Sequence, residues 1–409
     1  MEQATQIRIL TDLIRMLDSG ENVDAGVMYR NPTSVYTCPD LAAREWQSFF
    51  WGHTQLIGLS NDLPKPGSYL TLDDFDVPVL ATRGQDGVCR AFLNACRHRG
   101  VRLEQGEKGT RRTFCCPFHN WAYNNQGELV DVPEERQFGE IDKSCLGLIQ
   151  LPMEERHGML WVHPSPNGVL ELDAMLGGIQ PELASWKFKD LVAGGQTTIA
   201  RRLNWKLAND TFGETYHFQR LHKDTLGRLA YGDALNYEIF GRNHRFVYPR
   251  RAIDDLREIP EADWRLIDGA AVLYFLFPNI QFLLGVSGIN IVRIYPDPTD
   301  PNASISKINH YFTKQAIATA TDGQNEDASA GAVYDRSRNR GSPGLAGARQ
   351  IFSSTVEHED YAMGETTQRA AETGMLEHVI FGRNEPALHH YHHTFRSALK
   401  MPPMEKVDG

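Results

Sequence analysis

Two short segments of this 409-residue chain each pair a cysteine with a histidine: Cys96-Arg97-His98 and Cys116-Pro117-Phe118-His119, with 17 residues between His98 and Cys116. Thiolates and imidazoles are the side chains that hold zinc and iron–sulfur clusters. With 6 cysteines and 15 histidines, the four-residue pattern should arise by accident about 0.002 times over roughly 20 gap lengths, so accident is set aside. Structural zinc also takes two Cys and two His, but its pairs usually join like with like, whereas each pair here mixes one Cys with one His. Mixed pairs suit a [2Fe–2S] cluster. Thiolates hold one iron and neutral imidazoles the other, which raises the reduction potential into roughly the −150 to +300 mV range.

A second constellation lies at 204–222, Asn-Trp-Lys-Leu-Ala-Asn-Asp-Thr-Phe-Gly-Glu-Thr-Tyr-His-Phe-Gln-Arg-Leu-His. His217 and His222 are five apart, which on a regular α-helix turns the second about 140° from the first. A π-type bulge would align them, and such bulges recur at functional sites. For an arbitrary pair, one buried and one exposed helical histidine is the commoner case. Glu214 lies three residues before His217, on the same face of a helix.

C-R-H-R-G followed by C-P-F-H-N-W-A-Y resembles the Rieske signature of the ring-hydroxylating and demethylating oxygenases, and N-W-K-L-x6-E-x-Y-H-x4-H resembles the mononuclear-iron motif of the same family. The resemblance runs from about residue 45 to about residue 397. It implies that Cys96, His98, Cys116 and His119 hold a [2Fe–2S] cluster. It further implies that His217 and His222, with a carboxylate from elsewhere, hold Fe(II) in a two-histidine, one-carboxylate triad whose opposite face stays open. In the family that carboxylate sits in an E-D-x4-E-x2-Q-R pattern, matched by Glu359-Asp360 through Gln368-Arg369, which assigns Asp360; Glu357, His358 and Glu359 are competitors. Glu214 takes the place of a bridging carboxylate that links a Rieske histidine of one subunit to an iron ligand of the next in a ring-shaped homotrimer. Many ring dioxygenases carry Asp there, and Glu resembles the carnitine-type monooxygenases, which favours demethylation or simple hydroxylation. Thr211 stands where several ring dioxygenases have Asn. Asn120 stands where the second box commonly has Gly, and as the next-best residue for a left-handed backbone it should preserve the loop.

The elements that must position these residues read as an α+β chain: an all-β Rieske domain and a catalytic domain with an antiparallel sheet covered by helices. Residues 1–44 form a helix and lead-in belonging to the catalytic domain, with Ile7, Leu10, Leu13, Ile14 and Leu17 at helical spacing and Gly20 as a stop. Residues 45–165 are rich in short strands with Gln-Asp-Gly and Asn-Gln-Gly turns between them, hence antiparallel hairpins. Residues 166–409 bring helical periodicity near 205–230 and 353–375 and strand-like runs at 240–249, 269–278, 280–296 and 307–313. Residues 321–349 lack periodicity and read as a long loop, a lid or a surface insertion. Cys115, beside a ligand, reads as a small buried residue. His389, His390, His392 and His393 read as an exposed histidine-rich helix and are given no metal.

A net charge of −10 and a pI near 5.8 exclude a nucleic-acid footprint. The six cysteines are too sparse for a disulfide framework. The longest apolar region, near 270–286, is broken by Pro278 and Asn279, and the reading is a cytoplasmic, soluble protein. There is no convincing nucleotide-binding glycine motif. Electrons are therefore expected from an NAD(P)H-dependent reductase, directly or through a ferredoxin, and the resemblance implies a homotrimer with or without a small β subunit. The expected activity is O2-dependent hydroxylation, dioxygenation or demethylation of a small organic substrate, aromatic ones included. The rivals are a Rieske electron-transfer protein whose second domain only binds a partner, which would have no use for His217, His222 and Asp360, and a zinc-stabilised interaction protein.

Overall fold

The computed structural model describes residues 1–320 and 344–407. The chain divides into two units: Trp46–Ala174 with Lys187–Asp190, and Met1–Glu45 with Met175–Trp186 and Leu191–Gly409.

The first unit is all-β apart from short turns of helix. A five-stranded antiparallel sheet runs in the order Gln150–Leu151, Cys89–Leu93, Val79–Arg83, Ser68–Leu72, Lys108–Thr110. A three-stranded sheet, Thr113–Cys115, Ala122–Asn124 and Leu129–Asp131, carries the second Cys/His pair at its first turn. Its second turn is the Asn-Gln-Gly signal, where the Asn124 side-chain oxygen accepts the N–H groups of Gln126 (2.9 Å) and Glu128 (3.0 Å). Tyr69, Leu80, Phe92, Phe114, Trp121 and Tyr123 form one core with Cys96 and Cys116, so both sulfurs lie in apolar surroundings.

The second unit is built on a seven-stranded antiparallel sheet in the order Val192–Arg201, Ser304–Phe312, Gly288–Pro296, Ile280–Gly285, Ala270–Leu276, Asn243–Pro249, Asn236–Phe240. The run at 280–296 is a hairpin rather than one strand, because Gly285 pairs with Gly288 around Val286 and Ser287. Gly288 has φ 151°, and a Cβ there would lie 2.0 Å from the Tyr311 carbonyl oxygen, so only glycine lets the strands meet.

The N-terminal helix Gln3–Ser19 ends at Gly20 in the left-handed conformation. Ile9, Leu10 and Leu13 are its fully buried residues, each contributing about 1.5–3 kcal/mol by burial. Met28–Pro32 then pairs with both His378–Phe381 and Glu405–Val407, which ties the lead-in to the end of the chain.

Two readings of the periodicity are corrected. Between 205 and 230 only Trp205–Asp210 is α-helix, followed by turns and a short 3-10 segment, Leu226–Arg228. The chain leaves the helix through tighter turns: the Phe212 N–H donates to the Asn209 carbonyl (3.1 Å) and the Gly213 N–H to the Asp210 carbonyl (2.9 Å), three residues back rather than four, and further on the Glu214 side chain accepts the His217 N–H (3.2 Å). Of the segment read as a loop, 321–343 lies outside the described residues, but 345–349 opens the helix Leu345–Thr355. That helix continues through a π turn, Val356–Asp360, into Tyr361–Glu372. The π turn expected between His217 and His222 is thus found instead at the carboxylate-bearing segment.

Candidate metal centres

The two Cys/His loops share one backbone design. The Cys96 N–H donates to the Val101 carbonyl (2.8 Å) and the Gly100 N–H to the Cys96 carbonyl (2.9 Å). At the same offsets, the Cys116 N–H donates to the Trp121 carbonyl (2.8 Å) and the Asn120 N–H to the Cys116 carbonyl (2.9 Å). Each loop closes through a left-handed residue four positions after its cysteine, Gly100 at φ 74° and Asn120 at φ 59°.

The sulfurs of Cys96 and Cys116 are buried, while the rings of His98 and His119 lie toward the surface with centroids 4.6 Å apart. His98 stacks on Trp121 at 5.0 Å. Tyr123 accepts the Arg97 N–H (3.0 Å), so its own hydrogen is free to face the Cys96 sulfur at 3.5 Å. Burial, the dominant influence, holds the Cys96 thiol above its ordinary pKa against the Tyr123 hydroxyl, so a thiolate here needs a cation.

Two observations test these residues against the group they would hold. His98 Nδ1 is shielded from solvent and has no hydrogen-bond partner, which is the condition of a nitrogen reserved for a metal. Ligands of a single tetrahedral zinc lie within about 4 Å of one another. Among the described residues, the one trio of Cys, His, Asp or Glu ligand atoms within 4.8 Å of one another is elsewhere, so the four paired-loop side chains do not converge on a one-ion point. A two-iron group between thiolates and imidazoles fits both facts.

That trio is His217, His222 and Asp360. His217 Nε2 and His222 Nε2 are 3.1 Å apart, and Asp360 Oδ1 is 3.1 Å from His222 Nε2 and 3.4 Å from His217 Nε2. The other ring nitrogens are committed: His217 Nδ1 bonds Glu214 Oε1, and His222 Nδ1 meets Glu359 Oε2 at 2.8 Å, which also accepts from the Thr225 hydroxyl (2.9 Å). With Nδ1–H donating to a carboxylate, each Nε2 turns a lone pair inward, the arrangement of metal-ligating histidines. Two lone pairs at 3.1 Å repel unless a cation lies between them. Burial lowers the His217 pKa, but Asp360 and Glu214 outweigh it and carry it up to about 10. His222 moves up as well, with burial opposing Asp360 and Glu359. Burial disfavours the Asp360 carboxylate, yet the two histidines draw its pKa down. The site asks for positive charge, and a divalent cation with nitrogen and oxygen ligands and open positions fits it.

Comparison with known proteins matches residues 53–151 to the Rieske [2Fe-2S] domain and residues 188–401 to the ring hydroxylating alpha subunit catalytic domain. The chain belongs to the Rieske oxygenase alpha-subunit family. It is 30% identical over 199 residues to the glycine betaine monooxygenase oxygenase subunit of Chromohalobacter salexigens, a match covering 48% of this chain and 44% of that one. It is 35% identical over 191 residues to the large oxygenase component of a Ralstonia naphthalene 1,2-dioxygenase system, covering 45% and 41%. The matched region spans less than half the length of these curated relatives. Among solved structures, the quaternary ammonium Rieske monooxygenase CntA with L-carnitine shares the fold at TM-score 0.72 and 18% identity, over 92% of this chain and 97% of that one. Naphthalene 1,2-dioxygenase from a Rhodococcus species with bound indole shares it at TM-score 0.68 and 16% identity, over 96% and 98%.

Within this Rieske oxygenase fold the competitors of Asp360 separate. Glu357 pairs with Arg201 (2.8 Å) and His358 is exposed, so both point away. Glu359 binds the outer nitrogen of His222, a place the sequence reading did not give it. The signal was available, since each ligating imidazole needs an acceptor on its other nitrogen and only Glu214 had been supplied. Cys115 is exposed, because its strand Thr113–Cys115 turns only Phe114 inward. The histidines on Pro386–Ala398 are not an exposed row: His389 and His392 are buried, and His390 Nδ1 meets the fully buried His244 Nδ1 at 2.8 Å. Their helix carries its apolar face and these histidines into the unit together. The cysteines are all free, and no helix among the described residues is long and apolar enough to cross a membrane.

Proposed function

We propose that this chain is the terminal oxygenase component of a Rieske non-heme iron system, acting in the cytoplasm on a small organic substrate by hydroxylation, dioxygenation or oxidative demethylation. The observation that carries the reading is the convergence of His217 Nε2, His222 Nε2 and Asp360 Oδ1 with a carboxylate behind each imidazole, in a chain that also holds the paired Cys/His loops. An electron-transfer protein would have no use for that trio. When bound, a [2Fe–2S] cluster supplies single electrons and a ferrous ion supplies open coordination positions for activating O2.

The chain's own residues would then divide the work. Cys96, Cys116, His98 and His119 hold the cluster, with Gly100 and Asn120 shaping the loops and Tyr123 donating toward the Cys96 sulfur. His217, His222 and Asp360 hold the iron on one face; Glu359 and Thr225 fix the His222 ring, and Glu214 fixes His217. A carboxylate at Glu214, half-buried and beside a ligand, is also placed to accept a hydrogen bond from a cluster-bearing histidine of a neighbouring copy in a homotrimer. The exposed Tyr216, His119 and Phe118 are consistent with surfaces that meet other copies. Electrons would come from a separate NAD(P)H-dependent reductase, directly or through a ferredoxin. Glu at position 214 favours demethylation or simple hydroxylation over dihydroxylation of an aromatic ring.

The test is substrate-dependent O2 uptake with a surrogate reductase, across quaternary ammonium compounds and aromatic hydrocarbons, with product analysis. Uptake coupled to product in the wild type and absent in Asp360→Ala supports the reading. A wild type that exchanges electrons with the reductase but, loaded with iron, takes up no oxygen on any substrate supports the electron-transfer alternative.

A further inference from the structure

The histidine-rich C-terminal helix is left unused by the proposed chemistry, yet one of its histidines reaches the segment that carries Glu214 and His217. His392 Nε2 lies 2.9 Å from Asp210 Oδ1, and the Tyr36 hydroxyl lies 2.8 Å from Asp210 Oδ2. Asp210 is the last residue of the helix Trp205–Asp210, directly before the turns that hold Glu214 and His217. A carboxylate at a helix C-terminus faces the negative end of the helix dipole, so the position is locally unfavourable and needs donors.

The direction of every bond in this buried cluster can be fixed. Arg396 can only donate, so its contact with Asn31 Oδ1 (3.1 Å) orients the Asn31 amide. Asn31 Nδ2 then donates to His392 Nδ1 (3.2 Å) and to the Tyr36 oxygen (2.9 Å). His392 is thereby the neutral tautomer with hydrogen on Nε2, and both it and Tyr36 donate to Asp210. Asn31, Tyr36 and His392 are each no more than 2% exposed, so water does not compete.

The same helix touches the segment a second time. A Cβ on Gly213 would lie 2.4 Å from Leu388 Cδ2 and 2.9 Å from Tyr391 Cε2, so the chain beside Glu214 is pressed against Pro386–Ala398. Glu385, at the start of that helix, is pushed up by burial first and then by Glu214 and Asp210, which places these carboxylates in one neighbourhood. Between Asp210 and His217 the backbone has no regular ladder, so these two anchors, together with the Thr215 hydroxyl donating to the Gly232 carbonyl (2.9 Å), help to set its course.

We infer that His392, with Tyr36, is a positioning residue that acts through Asp210 to hold the Glu214–His217 pair in place. The inference rests on the reading of His217 as an iron ligand. Partners bonded directly to metal ligands typically change metal affinity about 10–100-fold when removed, and His392 acts through Asp210 one step further out, which sets the expectation at the lower end of that range.

The experiment compares His392→Leu, which removes both hydrogen bonds, with His392→Gln, whose amide donates to Asp210 and whose carbonyl accepts from Asn31. Full-length protein is loaded anaerobically with ferrous iron. Release to a ferrous chelator and the EPR line shape of the ferrous nitrosyl adduct are measured, with cluster absorption and melting temperature as controls. The expected result is release at least about tenfold faster in the Leu variant and within about threefold of wild type in the Gln variant, with an altered nitrosyl line shape only in the former. Wild-type release and line shape in a folded Leu variant would overturn the inference, as would a folded Gln variant that behaves like Leu. If the Leu variant does not fold, Tyr36→Phe removes one donor at unchanged shape, and its indifference in both readouts is equally fatal. A wild type that takes up no iron beyond the cluster sinks the ligand reading, and this inference with it.

Discussion

Removing Glu359 should weaken iron binding without touching any ligand. Its Oε2 accepts from His222 Nδ1 at 2.8 Å and from the Thr225 hydroxyl at 2.9 Å. A hydrogen bond to a charged group contributes about 1.5–3 kcal/mol net. The Glu359 side chain is 25% exposed, so water replaces part of the loss, and the lower end of the range applies, about 1.5–2 kcal/mol for Glu359→Ala. That is about 10–30-fold in ferrous affinity. Glu359→Gln keeps an acceptor oxygen but not its charge, and charge roughly doubles such a bond, so about 1 kcal/mol or about fivefold is expected. Anaerobic titration against a ferrous chelator measures both, with cluster absorption as an internal control. Glu357→Ala, which breaks only a part-exposed pair with Arg201, should leave affinity unchanged. The reasoning fails if Glu359→Ala binds iron within about threefold of wild type, or if Gln is worse than Ala.

Further outcomes follow from the same geometry. Purified protein should contain acid-labile sulfide and give a Rieske-type EPR signal on reduction, both lost in Cys116→Ser; zinc without sulfide after anaerobic reconstitution would refute the cluster assignment. Asp360→Ala should lose about one iron per chain while the visible cluster spectrum remains, and retained iron and turnover would refute the ligand assignment. Glu214→Gln keeps size and removes charge, and should slow oxidation of the reduced cluster in rapid mixing with iron content intact; a wild-type rate would leave Glu214 as a support for His217 alone. His310, fully buried with Asn290 and Ser353 as partners, has its pKa lowered by burial from 6.5 to about 4. A base depressed in the folded state stabilises above its unfolded pKa and loses that stability as pH falls. Denaturant unfolding should therefore show about 3 kcal/mol of His310-dependent loss between pH 6.5 and 4, absent in His310→Gln.

What the sequence disclosed was local. Each Cys/His loop is closed by two backbone bonds within six residues and one left-handed position, so C-R-H-R-G and C-P-F-H-N specify their shape almost unaided. The hairpin turns and apolar strands were legible for the same reason. The iron segment was not, because periodicity at 205–230 suggested a helix that in fact ends at Asp210, after which the Phe212 and Gly213 N–H groups bond three residues back and the Glu214 side chain takes the His217 N–H. The order among Glu357, His358, Glu359 and Asp360 was also hidden. In an α-helix Glu357 would share a face with Asp360, but the wider π turn at Val356–Asp360 swings it away to Arg201 and leaves Glu359 beside His222.

Charge explains why the trio needs the residues around it. Asp360, Glu214 and Glu359 bring three carboxylates to two imidazoles in a site where His222 is nearly inaccessible to water. Neutral imidazoles alone leave that charge uncompensated, and the raised pKa values of His217 and His222 register the deficit. A divalent cation on the inward lone pairs would reduce it to a single negative charge while keeping both Nδ1–H donors on their carboxylates. The outer carboxylates thus fix the tautomer that a metal requires and supply the field that attracts it, two roles met by the same side chains.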